Sequence, residues 1–177
     1  MAASEGAAGR RRVVEWDDPQ QNVDAAPGMT GLEFLRAMAA GELPPPPIGK
    51  LVGMELVEVG EGTATFTCEP GEYHYNPLGI VHGGLISTLL DSAMGCAVQS
   101  TLPAGVGYTS IELKVSFLRP VSRDSGTLRC AGRVVKPGRR VAFAEAELTD
   151  ARGALGAPVV EHDLAVAAAL TLDAGRE

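Results

Sequence analysis

Cysteine is scarce in this chain, and its scarcity argues against a disulfide scaffold. Only three of the 177 residues are cysteines, at positions 68, 96 and 130, and no two of them form a CxxC pair. Small secreted domains held together by disulfides carry more cysteines, in even numbers. An odd, widely spaced set on apolar segments instead predicts reduced thiols in a hydrophobic core. The cytoplasm is therefore the expected compartment.

Long apolar runs and an excess of basic charge are also missing. No apolar run approaches the ~20 residues that a membrane-spanning helix requires. The three arginines at 10–12 are followed by Val-Val-Glu-Trp-Asp-Asp rather than by the apolar core of a signal peptide. Lysine and arginine number 15 against 22 acidic residues, a formal charge of −7. We therefore expect neither a membrane nor a nucleic acid as partner, although a local cationic patch could bind an anionic ligand.

The length of the chain predicts one domain with extensions. Residues 1–47 form the expected N-terminal extension, in which Thr30 and Glu33 make the capping-box pattern of a short amphipathic helix ending near Gly41. A proline run at 44–47 predicts a stiff, extended spacer. The domain itself is expected over residues 48–172.

Hydrophobic periodicity predicts an α+β domain. Strands are expected at 51–59 and 63–68, then a long apolar helix from about 83 to 99, then further strands at 110–117, 128–134 and 141–149. The last segment, 155–172, is rich in alanine, and both a final strand and a short helix stay open for it. This order favours an antiparallel sheet with one long helix on one face.

Asp91 lies in the middle of that long helix. The helix is apolar nearly all round, as is typical of a helix buried in a core. An ionised carboxylate there costs several kcal/mol unless specific partners hold it. A buried carboxylate with free backbone N–H groups nearby indicates a catalytic site.

The helix begins at a pair of glycines that could supply those N–H groups. Gly83 and Gly84 have no side chains to block a ligand, and the first turn of a helix leaves backbone donors unpaired. With the helix dipole, these donors suit a carbonyl oxygen that gains negative charge. Asp91 is ~13 Å along the axis from His82, at ~1.5 Å per residue. Two antiparallel copies of the helix would bring a carboxylate to the opposite turn, so we expect a homodimer with sites at its interface.

Asn76 and His82 flank the loop before this helix, and two interpretations stay open for each. Asn76 either holds its own turn before Pro77 or donates to a ligand carbonyl. His82 either caps the helix or donates to that carbonyl.

Two motifs together resemble a known family. They are Asn76-Pro-Leu-Gly-Ile-Val-His82-Gly83-Gly84 with Asp91 nine residues after His82, and Leu113-Lys-Val-Ser-Phe117-Leu-Arg119-Pro120. Together they are similar to the hotdog-fold acyl-CoA thioesterases of the phenylacetate-pathway (PaaI-like) family, over about residues 48–150. The resemblance implies a long helix wrapped by an antiparallel sheet, a dimer or dimer of dimers, and hydrolysis of an acyl-CoA at the subunit interface.

The resemblance also implies residue roles. Asp91 matches the family's acidic residue, as general base or as nucleophile. The backbone N–H of Gly84 matches the group that polarises the thioester carbonyl, and Asn76 and His82 match residues that orient the acyl group. Ser110 best matches a hydroxyl that positions the water, with Thr109 as its rival.

Coenzyme A carries phosphates, so cationic residues are expected at the entrance of the site. The candidates for phosphate binding are Arg119, Lys136, Arg139 and Arg140. The candidates for the acyl pocket are Leu90, Met94 and Val98 on the helix and Tyr73, Tyr75 and Leu78 in the loop. Residues 1–47 exceed the minimal family domain, and they are expected to cover either an interface or the mouth of the pocket.

The resulting hypothesis is an acyl-CoA thioesterase for aromatic or medium-chain acyl groups. No metal and no cofactor are expected, because coenzyme A belongs to the substrate and no cluster of His and Cys has metal-ligand spacing. The main alternative is a non-catalytic hotdog module that senses acyl-CoA. A hotdog dehydratase is a further alternative, but the Asp/His pair that it would need is not found in the sequence.

Overall fold

A computed structural model of the chain describes residues 9–138, 140–153, 155–157 and 167–173. Its helices in chain order are α1 (Gln20–Ala25), α2 (Gly31–Ala39), α3 (Pro47–Val52) and α4 (Gly83–Gln99), with short 3-10 turns at Ala26–Gly28, Glu72–His74 and Arg123–Ser125. Of the helices in these residues, none combines the length and the apolar character needed to cross a membrane.

One antiparallel sheet makes up the rest of the fold. Its strands are β1 (Met54–Gly60), β2 (Thr63–Cys68), β3 (Val106–Glu112), β4 (Leu128–Lys136), β5 (Val141–Thr149), β6 (Leu155–Ala157) and β7 (Ala167–Asp173). Neighbouring strands follow the order β1-β2-β4-β5-β7-β3, and β6 pairs with β5. Within the described residues, β1 and β3 therefore form the two edges. The predicted α+β class is confirmed.

Helix α4 packs across the middle of this sheet. Its sheet-facing residues are almost inaccessible, with Leu89 at 1%, Leu90 at 2% and Met94 at 0% relative exposure. A close approach lies at Gly132 of β4, where an added Cβ would lie 2.5 Å from the backbone carbonyl of Ala93. A side chain at position 132 would push helix and sheet apart, so this glycine helps to fix how deeply α4 sits.

The alternating pattern of the strands supplies the other side of this core. In β5, Ala142, Ala144, Ala146 and Leu148 are buried while the residues between them are less buried or exposed. In β2, Ala64, Phe66 and Cys68 alternate along the strand and are buried. Cys68 and Cys130 lie in this core as free thiols, and burial raises their pKa to about 11 and about 12 respectively.

The start of the domain differs from the sequence prediction. The expected strand at 51–59 begins only at Met54, because residues Pro47–Val52 form α3. Pro47 stands in the first turn of that helix, where its missing N–H has no cost. Gly53 ends the helix with a left-handed backbone, φ 70°. Two local signals, a proline and a glycine six residues apart, outweighed the strand pattern.

The strands after α4 also need correction. The strand expected at 110–117 lies at Val106–Glu112 instead, where the described residues of β7 pair with it. Residues 167–173, left open between strand and helix, form β7, inserted between β5 and β3. Packing between two strands here overrides the helical preference of alanine. Pro158, a residue that a strand tolerates only at an edge or a bulge, lies outside the described residues.

The amphipathic helix in the N-terminal extension is confirmed as α2. The Thr30 hydroxyl accepts from the N–H of Glu33 while the Glu33 carboxylate accepts from the N–H of Thr30, a complete capping box. The helix buries Leu35 and Ala37 and packs against β1 and α4. Part of residues 1–47 is therefore packed against the body of the domain.

Candidate active site

The carboxylate of Asp91 is held by a hydroxyl from β3. Ser110 Oγ donates to Asp91 Oδ1 at 2.7 Å. One helical turn further along α4, Gly95 packs against the Tyr108 ring of the same strand. A Cβ added to Gly95 would lie 2.1 Å from the Tyr108 hydroxyl. Residues i and i+2 of a strand share a face, and residues i and i+4 of a helix share a face. Tyr108 and Ser110 therefore both point at one side of α4.

This geometry separates Ser110 from its rival. Because side chains alternate along a strand, Thr109 belongs to the face of β3 opposite Tyr108 and Ser110. Thr109 pairs with Leu170 of β7 in the sheet register. Ser110 is therefore the hydroxyl that the fold brings to Asp91.

The burial expected for Asp91 is only partly right. Its side chain is half-buried rather than sealed in a core. Helix α4 has one face that its own sheet does not cover, and the residues on that face are small or polar. They are Gly84, Thr88, Asp91, Ser92, Cys96 and Gln99, all half-buried or exposed. We call this set the open face of α4.

The N-terminus of α4 is capped by His82. Its Nδ1 accepts from the backbone N–H of Gly84 at 2.8 Å. A ring nitrogen that accepts carries no proton, so in the neutral ring the proton is on Nε2. The exposed ring is thereby fixed as a donor through Nε2, while its other nitrogen holds the helix. The N–H of Gly84, expected to face a ligand, is engaged by this cap.

The Asn76 side chain also combines a structural hydrogen bond with a nitrogen that can donate. Its Oδ1 accepts from the N–H groups of Leu78 and Ile80 at 2.9 and 3.4 Å, which closes the turn after it. Its backbone N–H donates to the carbonyl of Ile80 at 2.8 Å. With the side-chain oxygen engaged, the Nδ2 group is oriented as a donor. Asn76 therefore holds its own turn and His82 caps the helix. Each side chain keeps one further nitrogen that can donate.

The loop that carries these residues is tied down at both ends. His82 N donates to the carbonyl of His74 at 2.8 Å, and Val81 N donates to the carbonyl of Val121 at 2.8 Å. Tyr75 and Val81 form an isolated antiparallel bridge. Backbone bonds, rather than side chains of the site, therefore fix the position of His82 relative to α4.

Phe117 is a neighbour of this turn that the sequence had assigned to a strand. An added Cβ on Gly83 would lie 3.2 Å from the Phe117 ring. The ring is 52% exposed, so it forms an apolar wall beside the first turn of α4. Its place in the second motif, just before Arg119 and Pro120, was the only sequence signal for this position.

The expected cationic residues are not gathered at one point of the described chain. Arg119 pairs with the carboxylate of Asp150 at 3.6 Å, so its charge is partly balanced within the chain. Arg140 and Lys136 are exposed near the turn between β4 and β5. Arg139 lies outside the described residues.

The helix residues predicted to shape an acyl pocket face the wrong way. Leu90, Met94 and Val98 are at most 2% exposed and belong to the core against the sheet. The open face carries Ser92 and Cys96 instead. Sequence hydrophobicity identified the apolar residues of α4 but not the side of the helix on which a ligand could lie.

Cys96 lies half-buried on the open face, about one and a half turns from Asp91. Burial among protein atoms, followed by the nearby Asp91 charge, raises the pKa of its thiol to about 12. The pKa of Tyr108 is raised as well, mainly by burial and then by Cys96 and Asp91. Asp91 therefore stands at the rim of an apolar recess.

The match of the chain to known proteins agrees with this geometry. Residues 78–157 match the family description of the thioesterase superfamily. Acyl-coenzyme A thioesterase 13 of Mus musculus is 32% identical over 79 residues, which cover 45% of this chain and 55% of that protein. The chain thus matches little more than half the length of this relative.

Solved structures extend the similarity to most of the fold. A conserved protein of Pseudomonas aeruginosa is 29% identical, with a TM-score of 0.63 over 71% of this chain and 93% of its own. The PaaI protein from the phenylacetic acid degradation operon of Escherichia coli is 22% identical, with a TM-score of 0.66 over 81% and 95% of the two chains. At that identity the likeness concerns the fold alone.

An antiparallel sheet packed against one long helix is the hotdog fold, and residues 78–157 match the thioesterase superfamily, whose members are thioester hydrolases. A phenylacetic acid degradation-related thioesterase of Ralstonia eutropha is 27% identical, with a TM-score of 0.60 over 77% of this chain and 96% of its own, so the resemblance to PaaI-like thioesterases that the motifs indicated is confirmed.

Proposed function

We propose that this protein is an acyl-CoA thioesterase whose active sites form between two copies of the chain, with Asp91 of one copy acting at the α4 N-terminus of the other. The observation that carries the proposal is the open face of α4. On it Gly84 and Asp91 are seven residues apart, so they lie on one line of the helix, ~10.5 Å apart at ~1.5 Å per residue. Within one chain, that distance is too long for both to act on one carbonyl.

An antiparallel pair of α4 helices would bring Asp91 of one chain close to the α4 N-terminus of the other. Two copies packed along the first half of their open faces, from Gly84 to Asp91, would set each Asp91 opposite the partner subunit's Gly84. Gly84 and Thr88 carry little side-chain bulk there and allow a close approach. The exposed Ser110–Asp91 hydrogen bond would then be enclosed between the subunits, where a low dielectric strengthens it.

The edge of the sheet supports the same pairing. In the described part of the chain, β3 is hydrogen-bonded on one side only, to β7. Unpaired edge strands are ready templates for another chain. Ile111, at the end of this edge, is 54% exposed, and Leu118 just beyond it is 45% exposed. Pairing of two β3 edges would bury these side chains and align the two α4 helices behind them.

The chemistry needs few groups. A water attacks the thioester carbonyl carbon while Asp91 takes its proton, and Ser110 orients the carboxylate. The carbonyl oxygen gains charge beside the α4 N-terminus, near the donors Asn76 Nδ2 and His82 Nε2. The carbon–sulfur bond then breaks, and the coenzyme A thiolate leaves and takes a proton. A positioned base contributes on the order of 10²–10⁴ in rate, and an oxyanion donor about 10²–10³.

One step needs rearrangement. The N–H of Gly84 donates to His82 Nδ1 in the free chain, so a substrate oxygen must share or replace that bond. An attack by Asp91 itself on the carbonyl is the alternative to activation of water. A single turnover in ¹⁸O-labelled water tests for the direct route. Label in Asp91 would show direct attack, because water that splits the resulting mixed anhydride at the Asp91 carboxyl carbon leaves its oxygen there, whereas water activated by Asp91 places label only in the product acid.

The test of the proposed function is release of free thiol from a panel of aromatic and straight-chain acyl-CoAs, with molecular mass measured by light scattering on the same preparation. Turnover by a dimer or larger assembly is expected. A fully active monomer would refute the shared site. Tight binding of acyl-CoA without cleavage would favour the sensor instead, which has no need of a carboxylate at Asp91.

A further inference from the structure

The open face of α4 is one wall of a large apolar groove. The groove has a volume of about 1190 Å³ and runs between α4, the N-terminal helices, β1 and the start of β3. Asp91, Ser92, Cys96 and Gln99 line it from α4, and Phe34 and Met38 line it from α2. Asp91 therefore connects the chemistry of the proposed active site directly to this groove.

The groove has a definite length along α4. Its lining extends from Asp91 to Gln99, eight residues, or ~12 Å at ~1.5 Å per residue. An extended acyl chain of medium length matches that distance. An acetyl group would fill only its first part, and a single aromatic ring is too short to reach its Gln99 end.

The Gln99 end of the groove lies beside a contact that glycine alone permits. Gly31, the first residue of α2, lies so close to Gln99 that an added Cβ would be 1.7 Å from the Gln99 carbonyl oxygen. Gly31 N also donates to the carbonyl of Leu102 at 3.0 Å. The start of α2 is thereby fixed against the end of α4, at the Gln99 end of the groove.

The walls of the groove are suited to hydrocarbon. Phe34 and Met38 are four residues apart on α2 and so share one face, and both are half-buried at the groove. Phe34 is three residues from Gly31, near the Gln99 end, and Met38 is a further turn away. Leu56 and Phe66 add apolar surface from β1 and β2. Cys96 is half-buried at the same wall, and burial raises the pKa of its thiol to about 12.

We propose that this groove holds the acyl chain of the substrate and that α2 sets its length, so that the enzyme prefers straight, medium-length acyl groups to acetyl and to aryl groups. The proposal rests on the proposed function for the position of the thioester at Asp91. It assigns Phe34 and Met38, from the N-terminal extension, as specificity-determining residues. The extension is then part of the pocket rather than a separate cover over an interface.

The experiment compares kcat/KM for acetyl-, butyryl-, octanoyl-, decanoyl-, palmitoyl- and phenylacetyl-CoA among wild type, Phe34→Ala and Met38→Trp. Wild type should peak at octanoyl- or decanoyl-CoA. Phe34→Ala should raise the palmitoyl/octanoyl ratio at least tenfold, since one methylene in an apolar pocket changes discrimination by about tenfold or more. Met38→Trp should lower the decanoyl value at least tenfold and leave butyryl-CoA within about twofold.

Val135→Ala is the matched control, because Val135 is an exposed apolar residue of β4 away from the groove. It should leave the whole profile unchanged. A wild-type peak at acetyl- or phenylacetyl-CoA would overturn the proposal while leaving the thioesterase intact. So would variants that lower all substrates equally, as expected if α2 has a purely structural role or if a second copy of the chain fills the groove.

A second measurement keeps the groove testable if no acyl-CoA is cleaved. Decyl-CoA, a thioether that cannot be hydrolysed, should bind wild type in calorimetry and bind Met38→Trp at least tenfold more weakly. Such a result would support the groove while the proposed hydrolysis failed. Absence of binding, or equal binding by both proteins, would overturn the groove as the acyl site.

Discussion

The two faces of α4 differ in burial and in the residue types that they carry. The sheet-facing side carries Leu89, Ala93 and Met94, which are between 0 and 1% exposed and fit against β4 at Gly132. The open face carries Thr88, Asp91 and Ser92, which the chain itself leaves half-covered. The sheet-facing side is fully packed within a single chain. The open face instead presents a carboxylate, backbone and side-chain donors and an apolar recess that the chain does not fill. The first face makes the fold, and the second makes the site.

The largest effect on stability is expected from the sheet-facing side. Leu89→Ala should lower the free energy of unfolding by about 2–5 kcal/mol, because it leaves a cavity among tightly packed neighbours. Urea denaturation measures the change. Thr88→Ala, one residue away on the open face, is the control and should cost less than about 1 kcal/mol. Similar losses in the two variants would contradict the division into two faces.

On the open face, the largest effect is expected on activity. Asp91→Asn should reduce kcat at least about 10²-fold, because an amide cannot take the proton of water. The urea midpoint should stay near that of wild type, since the half-buried side chain can keep its hydrogen bond to Ser110. The matched control is Asp124→Asn, at an exposed carboxylate, which should change neither. Near-normal kcat in folded Asp91→Asn would remove Asp91 from the mechanism.

A smaller loss should distinguish the two hydroxyls of β3. Ser110→Ala removes the 2.7 Å hydrogen bond to Asp91 and should lower kcat about tenfold, the order expected for a hydrogen bond to a charged group. The kcat of Thr109→Ala should stay within about twofold of that of wild type, because the Thr109 side chain lies on the face of β3 opposite Ser110. Steady-state kinetics of the pair decide the question, and the reverse ranking would mean that the register at the site differs from the one described.

The smallest effect is expected on stability at high pH, through the two thiols in the core and the one at the groove. Burial raises the pKa of Cys68, Cys96 and Cys130 above their usual value, so the folded protein holds these protons more tightly than the unfolded chain. Their stabilising contribution is present below about pH 9 and is lost as the pH rises towards 11–12. Labelling with a thiol reagent should therefore be slow at pH 7.5.

At higher pH, Cys96 should be labelled before the two core cysteines, because it alone of the three faces the groove. Mass spectrometry of digests identifies the site. Faster labelling of Cys68 or Cys130 would show that the sheet-facing layer opens more readily than the groove.

The sequence was a good guide where local patterns decide structure. The bounds of α4, the capping box of α2 and the position of Asp91 were all predictable, because periodicity and caps are encoded in neighbouring residues. The rest depends on tertiary contacts. Residues 113–117 alternate like a strand, but among the described residues they pair with no strand, and Ser110 could be separated from Thr109 only by the register of β3. The groove arises because α2, distant in sequence, packs against α4 at Gly31.

The measurement that tests the central claim most directly is complementation between two inactive variants. Asp91→Asn removes the carboxylate, and Gly84→Pro removes the backbone donor in the first helical turn, where proline is tolerated. If each site takes Asp91 from one chain and the α4 N-terminus from the other, subunits reassorted from an equal mixture should recover on the order of a quarter of wild-type activity, because half of the dimers are mixed and each has one intact site. A mixture that stays inactive, although mass spectrometry shows mixed dimers, would contradict the shared site and place both groups in one chain.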